Sequence, residues 1–234
     1  MNLQQKKDNS FLATEPLGRL LLKLSLPTVT AQVINMLYNI VDRIYIGHIP
    51  ETGALALTGV GVCMPLIMIV SAFAALVGNG GAPRASIFMG KGDKESAEQT
   101  LGNCFTTQIV VSLLLTLILF TGNKSFLMAF GASENTIPYA VAYMNIYSLG
   151  TIFVQLTLGM NAFITAQGFA KTSMLSVLGG AASNIILDPI FIFALHMGVR
   201  GAALATIVSQ ALSCTWVLHF LMGKKSYLKI HRCN

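Results

Sequence analysis

Residues 24–47 read LSLPTVTAQVINMLYNIVDRIYIG. One acid and one base, Asp42 and Arg43, sit side by side near the end, and nothing else in the stretch is charged. A helix crosses a hydrocarbon core with about 20 such residues. The run lacks the short alternation of a membrane β-strand, so its backbone must satisfy its own hydrogen bonds as a helix. It is also too long for a signal-peptide core and no small-residue cleavage site follows, so it reads as a retained helix. Five comparable stretches follow at 55–77, 99–120, 139–163, 173–193 and 201–221. The predicted fold is therefore an all-α membrane protein, a bundle of six transmembrane helices. A cytoplasmic amino-terminal segment occupies 1–23, the six-helix lobe 24–221 and a basic cytoplasmic tail 222–234.

Composition agrees with that pattern. Of 234 residues, 54% are hydrophobic and 10% charged, far from an ordinary soluble mixture. The net charge of +6 raises the question of nucleic acid, but the positions of the basic residues answer it. Lys6, Lys7, Arg19 and Lys23 precede segment 1; Arg84, Lys91 and Lys94 lie between segments 2 and 3; Lys171 lies between 4 and 5; Lys224, Lys225, Lys229 and Arg232 follow segment 6. The other side receives Lys124 and Arg200, with Arg43 at its edge. Such a bias predicts a multi-pass protein of the cell inner membrane with both termini cytoplasmic, and no nucleic-acid partner.

Cys63, Cys104, Cys214 and Cys233 are widely spaced, and His48, His196, His219 and His231 are scattered, so no zinc-type ligand set is expected. The glycines of the 89–99 loop lack the spacing of a phosphate-binding loop, and Asp93 or Ser96 there is expected to cap the third helix. Glycines 78, 80 and 81 with Pro83 are expected to close the second. No nucleophile stands with a base, so the chain reads as neither an enzyme nor a cofactor protein.

Function is expected where acids enter the apolar runs. An ionised carboxylate at mid-membrane costs about 2.5–3.5 kcal/mol on insertion scales, so one kept there is a candidate ion or proton site. Segments 1, 3 and 5 run outward. Asp42 lies about four residues from the outer end of segment 1, Asp188 about five from that of segment 5, and Thr206 about five into segment 6, depths that agree within about one turn. Asn184 lies one turn from Asp188, and Asn35, Tyr38 and Asp42 follow one another at i, i+3 and i+7, a polar stripe that suits a water-filled cavity. Two carboxylates, an amide and a hydroxyl with no base at their level call for a bound H⁺ or Na⁺ at Asp42, Asn184, Asp188 and Thr206. The competing reading is a buried polar clamp between helices. Pro27 and Pro189 are candidate kinks in the two aspartate helices.

At these residues the chain resembles the amino-terminal lobe of a multidrug and toxic compound extrusion (MATE) transporter, of the bacterial branch with an aspartate in helix 1. The resemblance rests on Pro27, the run Tyr38-Asn39-Ile40-Val41-Asp42-Arg43, the glycine-rich end of segment 2 with Gly90-Lys91-Gly92-Asp93, Gln167-Gly168, Asn184-Ile185-Ile186-Leu187-Asp188-Pro189 and Gly198-Val199-Arg200-Gly201-Ala202-Ala203. It implies one lobe of a twelve-helix fold. It also implies that Asp42, Asn184, Asp188 and Thr206 form the cation or proton site, that helix 1 bends at Pro27 as the site loads, and that Asn35, Tyr38 and Asn161 line a drug cavity. The expected activity is export of amphipathic or cationic drugs in exchange for H⁺ or Na⁺. A lipid-linked sugar flippase of the same superfamily and a truncated, non-transporting lobe are the alternatives. Family members rock one lobe against the other, so a second lobe or a second copy is the expected partner besides lipid and drug.

Overall fold

In the computed structural model, residues 16–223 and 225–229 are described, with the side chain of Leu24 set aside. Lys6, Lys7, Lys224, His231, Arg232 and Cys233 fall outside them. The chain folds into α1 (Leu17–Gly47), α2 (Gly53–Gly90), α3 (Lys94–Ala129), α4 (Ile137–Leu149), α5 (Thr151–Ala166), α6 (Ala170–Pro189) and α7 (Val199–Met222), and no strand occurs among the described residues. α1, α2, α3, α6 and α7 are each long and apolar enough to cross a membrane, and α4 with α5 supplies a sixth span bent by 58°.

Several ends differ from the sequence reading, each for a physical reason. α1 starts at Leu17, because the apolar turns before Leu24 continue the helix. α2 does not close at its glycines but runs on to Gly90. Gly78 packs directly on Gly159 of α5, and Gly81 on the side chains of Cys104 and Phe163, so the missing side chains permit close helix approach. Asp93 supplies the cap of α3, accepting from the Ser96 amide at 3.0 Å, and the helix opens five residues before the predicted stretch. The fourth span breaks at Gly150, which faces Ile207 of α7 so closely that a side chain there would collide.

Pro189 closes α6 and a single π-helical turn, Ile190–Ala194, follows it. Its wide geometry appears as the bond from the Leu195 amide to the Ile190 carbonyl at 2.9 Å. A π turn at the end of a helix is a common local answer to a missing donor and is frequent at functional sites.

α2 is the central post, flanked by α3, α4 and α5, while α1 lies chiefly on α6, and α6 on α7. Two amides fasten the post: Gln155 Nε2 donates to the Val70 carbonyl at 2.8 Å and Gln108 Nε2 to the Ala74 carbonyl at 3.1 Å. One core gathers around Val60, Leu66, Leu115, Met144 and Ala203 toward the α1–α2 loop. A second gathers around Ala85, Leu101, Phe163 and Leu221 toward the α2–α3 loop. Leu228, beyond α7, is fully buried in that second core. The segment carrying it is anchored because the Gln167 side-chain oxygen accepts from the Ser226 hydroxyl at 3.0 Å and the amides of Tyr227 and Leu228 at 2.9 and 3.0 Å. The outer surface is apolar, with Leu113, Leu114 and Leu117 of α3 and Leu26, Val33 and Met36 of α1 exposed, as lipid contact requires.

Candidate cation and substrate site

Packing of α1 on α6 brings Asp42 against Asp188. Both are buried, Asp42 at 8% exposure and Asp188 at 0%. Their carboxyl groups lie within hydrogen-bonding reach of each other. Asn184 sits one turn earlier on α6, also buried, and its amide donates to Asp188 Oδ1 at 3.2 Å. Asp42 Oδ1, Asp188 Oδ2 and Asn184 Oδ1 are then buried without any donor. Three orphaned acceptors around two carboxyls form a nest for a positive species. A proton shared between the carboxyls would satisfy the pair, and the same oxygens are of the type that could ligate an alkali cation.

Asp42 opens onto a cavity of about 150 Å³, to which α1, α2, α4, α5 and α7 all contribute. Asn35, Tyr38 and Thr206 line it with Asp42. Thr206 donates to the Ala202 carbonyl at 3.0 Å and lines the cavity together with Asp42. Arg43, which the sequence places at the edge of the outer side, also lines the cavity, yet it makes no ion pair with Asp42.

Asn161 lies elsewhere. It lines a separate cavity of about 670 Å³ with Gln32, Asn79 and Thr165, nearer the α2–α3 loop. Its amide donates to the Ser176 hydroxyl at 2.9 Å, and that hydroxyl donates back to Asn161 Oδ1 at 3.1 Å. Leu158 borders both cavities. Pro27 is buried within an uninterrupted α1, about fifteen residues or 22 Å before Asp42 along the helix, while Pro189 adjoins Asp188 directly.

Three further residues of the site escaped sequence reading. Tyr143 and Tyr147 of α4 stack with ring centroids 6.1 Å apart and form one wall, and Gln210 of α7 lines the cavity with Tyr38. The tyrosines stand at i and i+4, a spacing that puts them on one face, but nothing in the sequence turns that face toward Asp42. Among the described residues no three His, Cys, Asp or Glu side chains cluster as a metal site.

Comparison with known proteins follows the same outline. The family model described as MatE matches residues 27–190. The chain is similar to the multidrug export protein MepA of Staphylococcus haemolyticus, with 28% identity over 88% of this chain and 45% of that protein. It is similar also to MepA of Staphylococcus aureus, with 23% identity over 94% of this chain and 49% of that one. Among solved structures, it is similar to a MATE protein in its bent conformation, with a TM-score of 0.88, 26% identity and coverage of 96% of this chain and 50% of that one. The chain thus spans about half the length of the curated relatives it matches.

Proposed function

The chain belongs to the MatE family of transporters, and on that premise we propose that it exports amphipathic, often cationic, compounds from the cytoplasm in exchange for inward-moving H⁺ or Na⁺. The observation that carries the reading is the buried Asp42–Asp188 pair, with its orphaned oxygens, beside a cavity that Asp42 itself lines. While the pair is unloaded, its negative charge favours a cationic drug in the cavity. Loading with a proton or Na⁺ removes that charge, and the drug loses its counter-ion. Ion and drug then oppose each other through differential affinity, and the coupling is reciprocal. The direct approach of the two carboxyls favours a proton as the simpler occupant.

Breadth of substrate follows from the cavity walls. The faces of Tyr38, Tyr143 and Tyr147 attract cations of varied shape without demanding one hydrogen-bond pattern. α1 carries Asp42 and Pro27 in one helix and has little support beyond α6, so a bend at Pro27 moves the ion site with few contacts broken. The termini and the α2–α3 loop face the cytoplasm, by the distribution of Lys and Arg. Rocking requires a second six-helix body, supplied by another lobe or another copy of the chain.

Two measurements test this. The purified chain should bind tetraphenylphosphonium, and acid or added Na⁺ should weaken that binding in the wild type but not in Asp42→Asn, Asp188→Asn double variants. Pump-deficient bacteria carrying the chain should extrude a fluorescent cation, and each single variant at equal membrane level should lose that efflux. Binding indifferent to both ions, or efflux intact in the variants, would overturn the coupling.

A further inference from the structure

A groove of about 550 Å³ lies between α2 and α3, lined by neither aspartate nor any residue of the Asp42 cavity. Its chemistry is graded along its length. Gln99, Asn103 and Thr107 stand at i, i+4 and i+8 on α3, all exposed, and so form a ladder of polar groups along one face. Across from them Arg84 of α2 is exposed, its guanidinium 5.7 Å from the Phe88 ring centroid, and no carboxylate lines the groove. The deeper end is apolar, with Leu76 70% exposed beside Val77. The floor stays open at Gly80, where a side chain would meet nothing within 4 Å.

Depth decides what such a groove can hold. Arg84 lies six residues, about 9 Å, from the end of α2, and Gln99 about 8 Å from the start of α3, so both reach the headgroup layer, while Leu76 lies about 21 Å in. The deeper rungs of the ladder, Asn103 about 14 Å and Thr107 about 20 Å along α3, face the hydrocarbon and carry unmet hydrogen bonds unless something amphiphilic covers them. We propose that this groove seats one anionic phospholipid of the leaflet on the α2–α3 loop side. Its phosphate rests on the Arg84 guanidinium, its ester oxygens accept from Gln99, Asn103 and Thr107, and one acyl chain follows Leu76 and Val77. The planar fork of arginine suits phosphate oxygens in pairs, and anionic headgroups are drawn to basic residues at this depth.

Native mass spectrometry of the full chain, released from micelles containing phosphatidylglycerol or phosphatidylcholine of the same acyl length, tests this without reference to transport. The wild type should retain one phosphatidylglycerol in preference to phosphatidylcholine. Arg84→Gln should lower that retention about fivefold, the effect of one basic residue at an anionic surface. The Gln99→Leu, Asn103→Leu double variant should lower it too with charge unchanged, whereas Lys171→Gln, outside the groove, should leave it alone. Thermal melts of every variant verify the fold. Equal retention of the two lipids, or equal losses in Arg84→Gln and Lys171→Gln, would reduce the effect to general surface charge and overturn the site. Displacement of the lipid by millimolar inorganic phosphate would do so as well, by assigning the groove to a free anion.

Discussion

Asp93 is a carboxylate outside the membrane whose role can be followed to its partner, the Ser96 amide. It accepts from the Ser96 amide at 3.0 Å at the start of α3, and the Ser96 side chain and amide beside it hold its carboxyl below the ordinary aspartate range. A carboxylate so depressed in the folded chain stabilises it fully above the unfolded value and ceases to as pH falls through the folded one. The ¹³C titration of the Asp93 carboxyl should therefore have its midpoint below that of a free aspartate, and the Ser96 amide should exchange faster as that midpoint is passed. Asp93→Ala should show the fast Ser96 exchange already at neutral pH. A midpoint at the free-aspartate value would mean that the cap is not formed in solution. Asp42 and Asp188 drew notice in the sequence for a different reason, because an acid in an apolar run is too costly to be incidental. Tyr143, Tyr147 and Gln210 drew none, since tyrosine and glutamine are ordinary in helices and only the packing of α4 and α7 turns them toward Asp42.

Among the elements, α2 shows where local reading and tertiary packing part. Glycines and a proline after Val77 carry poor helix propensity, and propensity alone ends the helix there. Contact with α5 decides otherwise: a methyl group on Gly78 would meet the Gly159 Cα and carbonyl oxygen at 2.9 Å each, so the two helices touch through bare backbone. Gly78→Ala should force them apart and cost about 1–3 kcal/mol, read as a lowered melting temperature in detergent. Gly179→Ala on α6, where a side chain meets nothing within 4 Å, should leave the melt unchanged or raise it slightly. Equal effects at both positions would mean that helix propensity, and not the α2–α5 contact, sets the stability. The bend at Gly150 escaped notice for the same kind of reason. Glycine is frequent in membrane helices, and the feature that marks this one is the side chain of Ile207, which is distant in sequence.

On the scale of the whole molecule, the six spans were legible because hydrocarbon admits so few backbone solutions, while the way they cover one another was not. Gln32 of α1 and Asn79 of α2 are exposed and line the larger cavity, at depths where lipid would leave both amides without partners. Such a face suits a water-filled cleft closed by another body of similar size. A second copy related by a twofold axis meets that need with the same patch on both partners. In a variant freed of its native cysteines, Gln32→Cys should then cross-link copy to copy in membranes with a short bifunctional maleimide. Ile118→Cys, 49% exposed on the apolar surface of α3, should stay monomeric at the same expression level. The contrast between the two sites matters more than either yield, because crowding in a membrane cross-links any exposed thiol to some extent. If Ile118→Cys matches Gln32→Cys, the cleft face has no preference for a second copy. The body that completes the cleft is then a different six-helix lobe, one whose own polar stripe matches Gln32 and Asn79.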